Sequence, residues 1–283
     1  MPEEKPLSLP EGIVRVTADN PGPMTFKGTN SYVVGNADVC VLIDPGPEDE
    51  AHLGALSEAV GSRCVEAVML THRHGDHSGL VTSARKRFDA PLLAASSPDI
   101  AYQASVDFSA LHPDRPLADG EALDLAGHRI EVVGTPGHTS DHLAFALPSL
   151  GILLTGDHVM GWSTTVVIPP DGSMRQYRDS LRKLMDRDDA IYLPGHGDPI
   201  ERPSRLVRNF LNHRRQREEM ILASLREAPA TISDLVARHY PGAEGGLAVA
   251  AGYSVKAHLV ELFESGVVAG PDPHSSDGPF LID

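Results

Sequence analysis

The chain is poor in cysteine, in long apolar runs and in targeting signals. Its two cysteines among 283 residues, Cys40 and Cys64, form no CxxC pair and are too few for a disulfide framework. No stretch is apolar for long enough to span a bilayer, and the N-terminal segment has no basic region followed by an apolar run. These absences predict a cytoplasmic protein with no membrane partner and no secretory signal.

Positive charge is also scarce. The chain has 24 Lys and Arg against 39 Asp and Glu, which gives a net charge of −15 at pH 7. This excess argues against a broad nucleic-acid surface but leaves room for a local basic patch. Arg214, Arg215 and Arg217 could form one. The alternative is a solvated helix face whose arginines pair with Glu218 and Glu219.

Short apolar runs bounded by Gly, Pro or Asp recur over roughly the first 200 residues and predict β-strands. The predicted strands are 31–35, 39–46, 65–72, 91–96, 128–138, 143–148, 152–158 and 190–197. Helical patterns over 48–60, 78–88 and 174–186 separate some of them. Because several strands follow one another directly, we expect an α/β domain of layered sheets covered by helices.

The last part of the chain is predicted to be mostly helical. A long helix is expected over about 204–227, and Pro229 ends it. Thr231 and Asp234 form an N-cap pair for a second helix, a third helical pattern follows, and two short apolar pieces flank a turn-rich loop. This order predicts a catalytic domain over 1–228 and a small winged-helix-like domain over 229–283. The latter could contact nucleic acid, or could serve packing or dimerisation.

Residues 71–79 read THRHGDHSG and directly follow a predicted buried strand. His72 and His74 are two apart, so on an extended chain they face the same way and can reach one ion. The glycine after them permits a sharp turn that brings Asp76 and His77 to a neighbouring point. Imidazole and carboxylate groups are good ligands for Zn²⁺ and similar ions. The loop therefore predicts a metal site rather than a solvated polar turn.

Three more predicted strand ends carry a ligand-type residue in a glycine-rich turn. They are His138 in GTPGHTSDH, Asp157 in LLTGDHV and His196 in LPGHG. Side-by-side strands would bring these turns to one edge of the sheets. Seven donors are too many for one tetrahedral zinc and fit two ions, with Asp157 as the bridge because a carboxylate has an oxygen for each. Of the neighbouring polar residues, Asp141 is expected at the surface, and His142 is expected either in a structural role or in support of the metal ligands.

These four motifs, in this order, resemble the metallo-β-lactamase superfamily. The resemblance implies an αββα sandwich with a dinuclear site along one edge. It assigns the donors as His72, His74 and His138 for the first ion, Asp76, His77 and His196 for the second, and Asp157 for both. It also matches Asp44, in LIDPG, to a residue that supports the ligands without binding metal.

The reaction implied is hydrolysis by a metal-bridging hydroxide. Metal coordination lowers the pKa of water toward neutrality, and two ions beside two carboxylates leave the site net positive. Asp76 would orient the hydroxide or help to carry a proton. No GxSxG motif or Ser-His-Asp arrangement competes with this interpretation. Zinc is the expected metal, with iron or manganese as alternatives.

GTNSYVVG, GWSTTVV, LPGHGDPI and the C-terminal tail resemble a group that includes a mitochondrial single-strand endoribonuclease and acyl-carrier thioesterases. Two substrates therefore stay open, namely single-stranded RNA and a small-molecule acyl or thioester compound. A glyoxalase II-like thioester hydrolase, an incidental β-lactamase and a non-catalytic metal-binding module stay open as well. Asn30, Thr164 and Thr165 are candidate substrate contacts, and a homodimer is a candidate assembly.

Overall fold

The structure is a computed structural model that describes residues 9–96 and 111–283, so most of the N-terminal segment lies outside the described residues. The chain forms two compact units. The first contains the residues up to Thr135 together with Asp141–Ser163 and Asp188–Pro203, and the second contains Pro136–Ser140, Thr164–Arg187 and Ser204–Asp283. Among the described residues, no helix has both the length and the apolar character that a membrane span requires. Both cysteines are free.

One six-stranded sheet of the first unit follows the chain order from β1 to β6. Its strands are β1 Ile13–Thr17, β2 Asn30–Gly35, β3 Val39–Ile43, β4 Cys64–Met69, β5 Leu92–Ala95 and β6 Arg115–Leu117. The first three strands pair antiparallel and β3 to β6 pair parallel. Parallel neighbours need a crossover. Helix α1 (Glu50–Val60) lies between β3 and β4, and α2 (Gly75–Ser78) and α3 (Val81–Phe88) lie between β4 and β5.

The second sheet of this unit also has six strands, in the order β12-β11-β10-β9-β8-β7. They are β7 Ala122–Leu125, β8 His128–Gly134, β9 Leu143–Leu147, β10 Ile152–Gly156, β11 Ile191–Pro194 and β12 Ile200–Glu201. All neighbours pair antiparallel except β10 and β11, which are parallel. A single 3-10 turn, Pro148–Leu150, joins β9 to β10.

The core of the first unit lies on both faces of the first sheet. Tyr32 and Val34 of β2 pack into an apolar cluster shared by the two sheets. Val33, between them, packs into a second cluster with residues of α1 and α3. Successive strand residues point to opposite faces, and a strand buried on both faces reads as a continuous apolar run. This explains why the uninterrupted runs of the sequence predicted these strands.

The predicted strands all exist, although several are shorter than expected. Strand β8 ends at Gly134 rather than at residue 138, and β3 ends at Ile43 because Asp44 turns the chain with a φ of 50°. Strands β1, β6, β7 and β12 were not predicted. The last of these has two residues, too few to show any periodicity.

The second unit contains the remaining helices and a two-stranded sheet. They are α4 Met174–Met185, α5 Pro203–Glu227, α6 Ile232–His239, α7 Gly245–Glu264, β13 Val268–Ala269 and β14 Leu281–Ile282. An apolar cluster joins α5, α6, α7 and the β13–β14 hairpin. The predicted capping box is present at the start of α6, where Thr231 and Asp234 bond to each other's backbone N–H. The domain boundary near residue 229 stays a prediction.

Candidate metal centre

Ligand-type residues follow the ends of four strands in the first unit. Asp44 follows β3, the loop from His72 to His77 follows β4, Asp157 follows β10 and His196 follows β11. Since β3 is parallel to β4, and β10 to β11, each pair ends at one edge of its sheet. The backbone N–H of Asn30 donates to the carbonyl of Gly195 at 2.7 Å, which joins the start of β2 to the turn after β11. This bond links the two sheets at the edge that carries these residues.

Two sets of donor atoms in the first unit share His77. They are His72, His77 and Asp157, and Asp76, His77 and His196, with the donor atoms of each set within 4.8 Å of one another. His77 Nε2 lies 3.4 Å from Asp157 Oδ1, and His196 Nε2 lies 3.2 Å from Asp76 Oδ2. Tetrahedral ligands at about 2.0–2.1 Å from zinc are about 3.3 Å apart. The spacing and the chemistry of these donors therefore fit a divalent metal ion.

His74 extends this cluster. Its Nδ1 lies 3.0 Å from His72 Nε2, and the two rings meet edge to face. The strand-end spacing of two therefore places both imidazoles together, as the sequence pattern predicted. Six of the seven predicted donors belong to the first unit. Short distances between imidazole nitrogens and carboxylate oxygens, or between two imidazole nitrogens, connect all six.

Asp44 orients two of these histidines. Its Oδ2 accepts hydrogen bonds from His77 Nδ1 at 3.0 Å and from the Thr71 hydroxyl at 2.7 Å. Because the Thr71 proton goes to Asp44, His72 Nδ1 donates to Thr71 Oγ1, 3.0 Å away. A proton on Nδ1 of each ring leaves Nε2 as the nitrogen that is available to a metal ion. Metal-binding histidines are oriented in this way by carboxylates behind them.

His138 belongs to the second unit, where Nδ1 lies 2.7 Å from the carbonyl oxygen of Val166 and 3.0 Å from Thr165 Oγ1. A carbonyl oxygen can only accept, so the proton of the neutral ring is on Nδ1 and the lone pair is on Nε2. Thr165 is buried and Thr164 is half-buried. The same tautomer therefore holds for His138 as for His72 and His77.

The titrating groups of the first unit form a compact charge cluster. Burial alone would raise the pKa of Asp76, but His77 and a hydrogen bond from His196 outweigh it and lower that pKa to about 2. Burial likewise disfavours the charge of His196, but Asp157 raises its pKa to about 9. The pKa of His77 is raised well above its usual range against the effect of burial, chiefly by Asp76 and Asp157. Both carboxylates are therefore anionic, which is the form in which they bind a metal ion.

Glycines next to the donors leave room for their close approach. A Cβ atom on Gly195 would lie 2.5 Å from Asp157 Oδ1 and 2.7 Å from His77 Cε1. A Cβ atom on Gly156 would lie 2.7 Å from Thr71 Oγ1, and the backbone φ of 49° at Gly156 favours glycine in any case. The GD and GH motifs thus need their glycines because side chains would displace the donor groups.

Asp141 is not at the surface, and the sequence-based expectation for it is wrong. Its carboxylate forms an ion pair with Arg73, and both side chains are only 6% exposed. Arg73 lies between His72 and His74 and points away from their shared face, since alternate residues of an extended chain face opposite ways. Its guanidinium also donates to the carbonyl of Ala95. The pair fixes the loop that carries the two histidines.

His142 has the structural role that was expected. The backbone N–H of Asp157 donates to His142 Nε2 at 3.2 Å, so Nδ1 carries the ring proton and donates to Thr135 Oγ1 at 2.8 Å. His142 therefore holds the backbone of Asp157. In the sequence, only the position of His142 four residues after His138 indicated that it lies near the donors.

Asn30, a candidate substrate contact, is buried among backbone groups. Its side-chain amide donates to the carbonyl oxygens of Pro194 and Gly197, at 3.0 and 2.8 Å. These two residues flank His196, so Asn30 positions that turn. Its neighbour Thr29, which the sequence did not single out, lies 3.4 Å from Asp76 Oδ2 through its hydroxyl.

The arginines near residue 215 do not form one exposed patch. Arg214 is only 2% exposed. Arg215 is exposed and pairs with Glu219 at 3.7 Å, as the solvated-face interpretation predicts. The guanidinium of Arg217 lies 4.6 Å from the ring centre of Tyr240. Adjacent residues of a helix point about 100° apart, so Arg214 is buried while Arg215 is exposed, which their proximity in the sequence does not reveal.

Comparison with known proteins agrees with this geometry. The family described as the metallo-beta-lactamase superfamily matches residues 24–196, more than half of the chain. A beta-lactamase-like protein 2 homolog of Drosophila melanogaster is 33% identical, over 91% of this chain and 90% of its own length. An atrochrysone carboxyl ACP thioesterase of Paecilomyces divaricatus is 32% identical, over 79% of this chain and 70% of its own.

A solved metallo-beta-lactamase family protein from Thermus thermophilus has the same fold. It superimposes with a TM-score of 0.78 at 25% identity and covers 98% of this chain and 100% of its own. The predicted sandwich of two sheets with helices is confirmed, and a helical C-terminal region is present. The chain therefore belongs to the metallo-beta-lactamase superfamily, as a metal-dependent hydrolase.

Proposed function

We propose that the protein is a dinuclear metal hydrolase that cleaves an acyl thioester. The observation that carries the metal part is the pair of donor sets that share the buried His77. Each set combines imidazole with carboxylate, which suits zinc and leaves iron or manganese as alternatives. The thioester part is supported by the thioesterase name of the fungal relative.

In this proposal the seven donors keep the assignment made from the sequence. The first ion is held by His72, His74 and His138, the second by Asp76, His77 and His196, and Asp157 binds both. Asp157 is well placed to do so within the first unit, because it lies within 4.8 Å of the donor nitrogen of His72, a ligand of the first ion, and its Oδ2 lies 3.3 Å from Nε2 of His196, a ligand of the second.

The ions would supply Lewis acidity toward the acyl oxygen and would lower the pKa of water toward neutrality. Asp76 is the carboxylate suited to accept and move a proton. Its side chain is 28% exposed, whereas that of Asp157 is 9% exposed, so Asp76 has access to solvent. Thr29 lies 3.4 Å from Asp76 Oδ2 and restrains that carboxylate. Asp44 and Thr71 keep the lone pairs of His77 and His72 on Nε2.

Single-stranded RNA is the less favoured substrate. A polyanion requires positive surface, yet the chain carries a net charge of −15, Arg214 is buried and Arg215 is paired. A glyoxalase II-like or lactamase activity would use the same ions. Its substrates therefore have to be assayed beside the acyl thioesters.

Several finer assignments complete the proposal. Residues 1–228 form the catalytic domain, and residues 229–283 form a winged-helix-like domain. The order of α6, α7 and the β13–β14 hairpin supports the second assignment. Thr164 and Thr165 stay candidate substrate contacts, as does Asn30. A cytoplasmic location and a homodimer stay predictions.

The test is turnover by metal-loaded protein of an acyl thioester panel, labelled single-stranded RNA, S-lactoylglutathione and a β-lactam, assayed side by side. We expect thioester cleavage at a kcat/KM at least about tenfold above the other arms. Chelation should abolish it and zinc should restore it. His72→Ala should remove it, whereas His128→Ala, outside the donor sets, should leave it unchanged.

Two results would contradict the proposal. Thioester cleavage that persists in His72→Ala after chelation would mean that the metal is not used. RNA cleavage that needs His72, with no thioester turnover, would keep the metal centre and replace the substrate.

A further inference from the structure

Arg214 is a buried cation in the middle of helix α5. Its Nη2 donates to the carbonyl of Thr165, and Nη1 lies 3.3 Å from the hydroxyl of Ser254 in α7. The guanidinium also lies 5.2 Å from the ring centre of Tyr177 in α4. One side chain of the second unit therefore contacts two other helices and a loop.

No carboxylate pairs with this guanidinium among the residues that the structure describes, and its Nε is buried without a hydrogen-bond partner there. Burying a charge without a counter-charge is costly, and apolar residues of similar size often pack as well or better. Arg214 is thus a poor choice for simple helix packing. Its fork of donors suits a site where backbone carbonyls must be fixed.

The loop that Arg214 fixes is the one that orients His138. Arg214 binds the carbonyl of Thr165, while the side chain of Thr165 and the next carbonyl, that of Val166, lie 3.0 and 2.7 Å from His138 Nδ1. All these residues belong to the second unit. A shift of the backbone at the Thr165 carbonyl would displace the adjoining Thr165 side chain and Val166 carbonyl, which are the two groups beside His138 Nδ1.

We propose that Arg214 is a positioning residue for His138, and that helices α5 and α7 thereby help to orient this one ligand. This inference rests on the proposed role of His138 as a metal ligand. It gives the C-terminal helices a function in metal binding that does not require them to contact nucleic acid. The effect passes through the backbone of Thr165 and Val166, since Arg214 itself bonds to the Thr165 carbonyl rather than to His138.

The test compares Arg214→Met with Arg215→Met, a neighbouring arginine on the exposed face of the same helix. Zinc affinity is measured by competition with a coloured chelator, and thermal unfolding of the metal-free proteins is followed in parallel. Loss of a group that orients a ligand typically costs 10- to 100-fold in metal affinity. We expect about this loss for one of two ions in Arg214→Met and none in Arg215→Met. Activity at low zinc should fall, and excess zinc should restore it.

A purely structural role predicts a different result. Arg214→Met would then unfold at a lower temperature while the folded protein bound both ions with unchanged affinity, and this outcome overturns the proposal. If Arg214→Met does not fold, Thr165→Val gives the second test, since it removes only the hydroxyl beside His138. We expect it to weaken zinc binding by about tenfold, and unchanged affinity would again overturn the proposal.

Wild-type protein and His138→Ala separate this inference from the proposed function. If the wild type binds two ions and His138→Ala binds one, the ligand assignment holds, and the Arg214 variants test the inference alone. If His138→Ala binds both ions as tightly as the wild type, the ligand assignment fails, and the inference fails with it. The zinc affinity of Arg214→Lys should lie between those of the wild type and Arg214→Met, because one ammonium group cannot reproduce the two donors of the guanidinium fork.

Discussion

At the scale of single residues, the side chains between the donors matter as much as the donors. Arg73 lies between His72 and His74 but pairs with Asp141, in a contact buried from solvent on both sides. Asp44 binds Thr71 and His77 and so sets the tautomer of two rings. The donors are held by residues whose own partners are fixed by packing, which is what a preorganised metal site requires.

We predict that breaking the Arg73–Asp141 pair destabilises the fold. Arg73→Met or Asp141→Leu leaves one buried charge without its partner, which should cost about 3–5 kcal/mol of unfolding free energy. The double variant should be closer to the wild type than either single variant. Urea unfolding in the presence of chelator measures these values without a contribution from metal.

The exposed pair of Lys27 and Asp198, at 2.8 Å, provides the control. Lys27→Met should change the unfolding free energy by less than about 1 kcal/mol, because solvent screens this pair. Equal effects of Arg73→Met and Lys27→Met would mean that burial does not set the strength of the Arg73 pair.

At the scale of elements, helices α4, α5 and α7 share a polar interior. Arg178 of α4 pairs with Glu218 of α5 and Glu261 of α7. His258 of α7 is buried beside this network, with Nδ1 4.0 Å from Glu218 Oε2. Burial, followed by the charge of Arg214, lowers the pKa of His258 well below its usual value. The charged or titrating groups around it are Arg178, His213, Arg214, Arg217 and Glu218.

This burial predicts loss of stability in mild acid. His258 stays neutral in the folded state but takes a proton in the unfolded state below about pH 6.5. Its contribution is therefore complete above that pH and falls as the pH drops toward the lowered folded-state pKa. Between pH 7.5 and 5.5 the wild type should lose about 1.4 kcal/mol more unfolding free energy than His258→Phe.

The measurement is urea unfolding of both proteins at the two pH values. His274→Phe is the matched control, because His274 is exposed and its variant should follow the wild type. Identical losses in wild type and His258→Phe would show that His258 is protonated in the folded state.

At the scale of the whole molecule, metal binding and folding are linked, because donors from distant parts of the chain meet only in the folded state. We predict that zinc raises the thermal unfolding temperature and that chelation lowers it. A ligand at about 100 times its Kd contributes about 2.7 kcal/mol to stability. Calorimetry with and without zinc measures this shift. It should be smaller in His77→Ala, which loses a ligand of the second ion only, and unchanged in His128→Ala, and the same shift in both variants would place the zinc elsewhere.

Much of the fold and of the donor set could be predicted from the sequence. The strands that are buried on both faces, β2, β3, β9 and β10, appear as apolar runs bounded by turn residues. The donor pattern of residues 72–77 can be recognised in the sequence because its ligand-type residues lie within six consecutive positions. The capping box of Thr231 and Asp234 is local as well. Such features depend on residues within a few positions of one another, so the order of residues alone determines them.

The tertiary structure decided the rest. Asp141 became a buried partner of Arg73 from 68 positions away, and Arg214 reached the carbonyl of Thr165 from 49 positions away. The side chain of Asn30 donates a hydrogen bond to the carbonyl of Pro194, 164 positions away, and so fixes the turn before His196. Residue type and periodicity do not encode such partners, because strand pairing and helix packing choose them. The sequence determined which groups bind metal in the proposed site, and only the tertiary structure decided which side chains hold those groups in place.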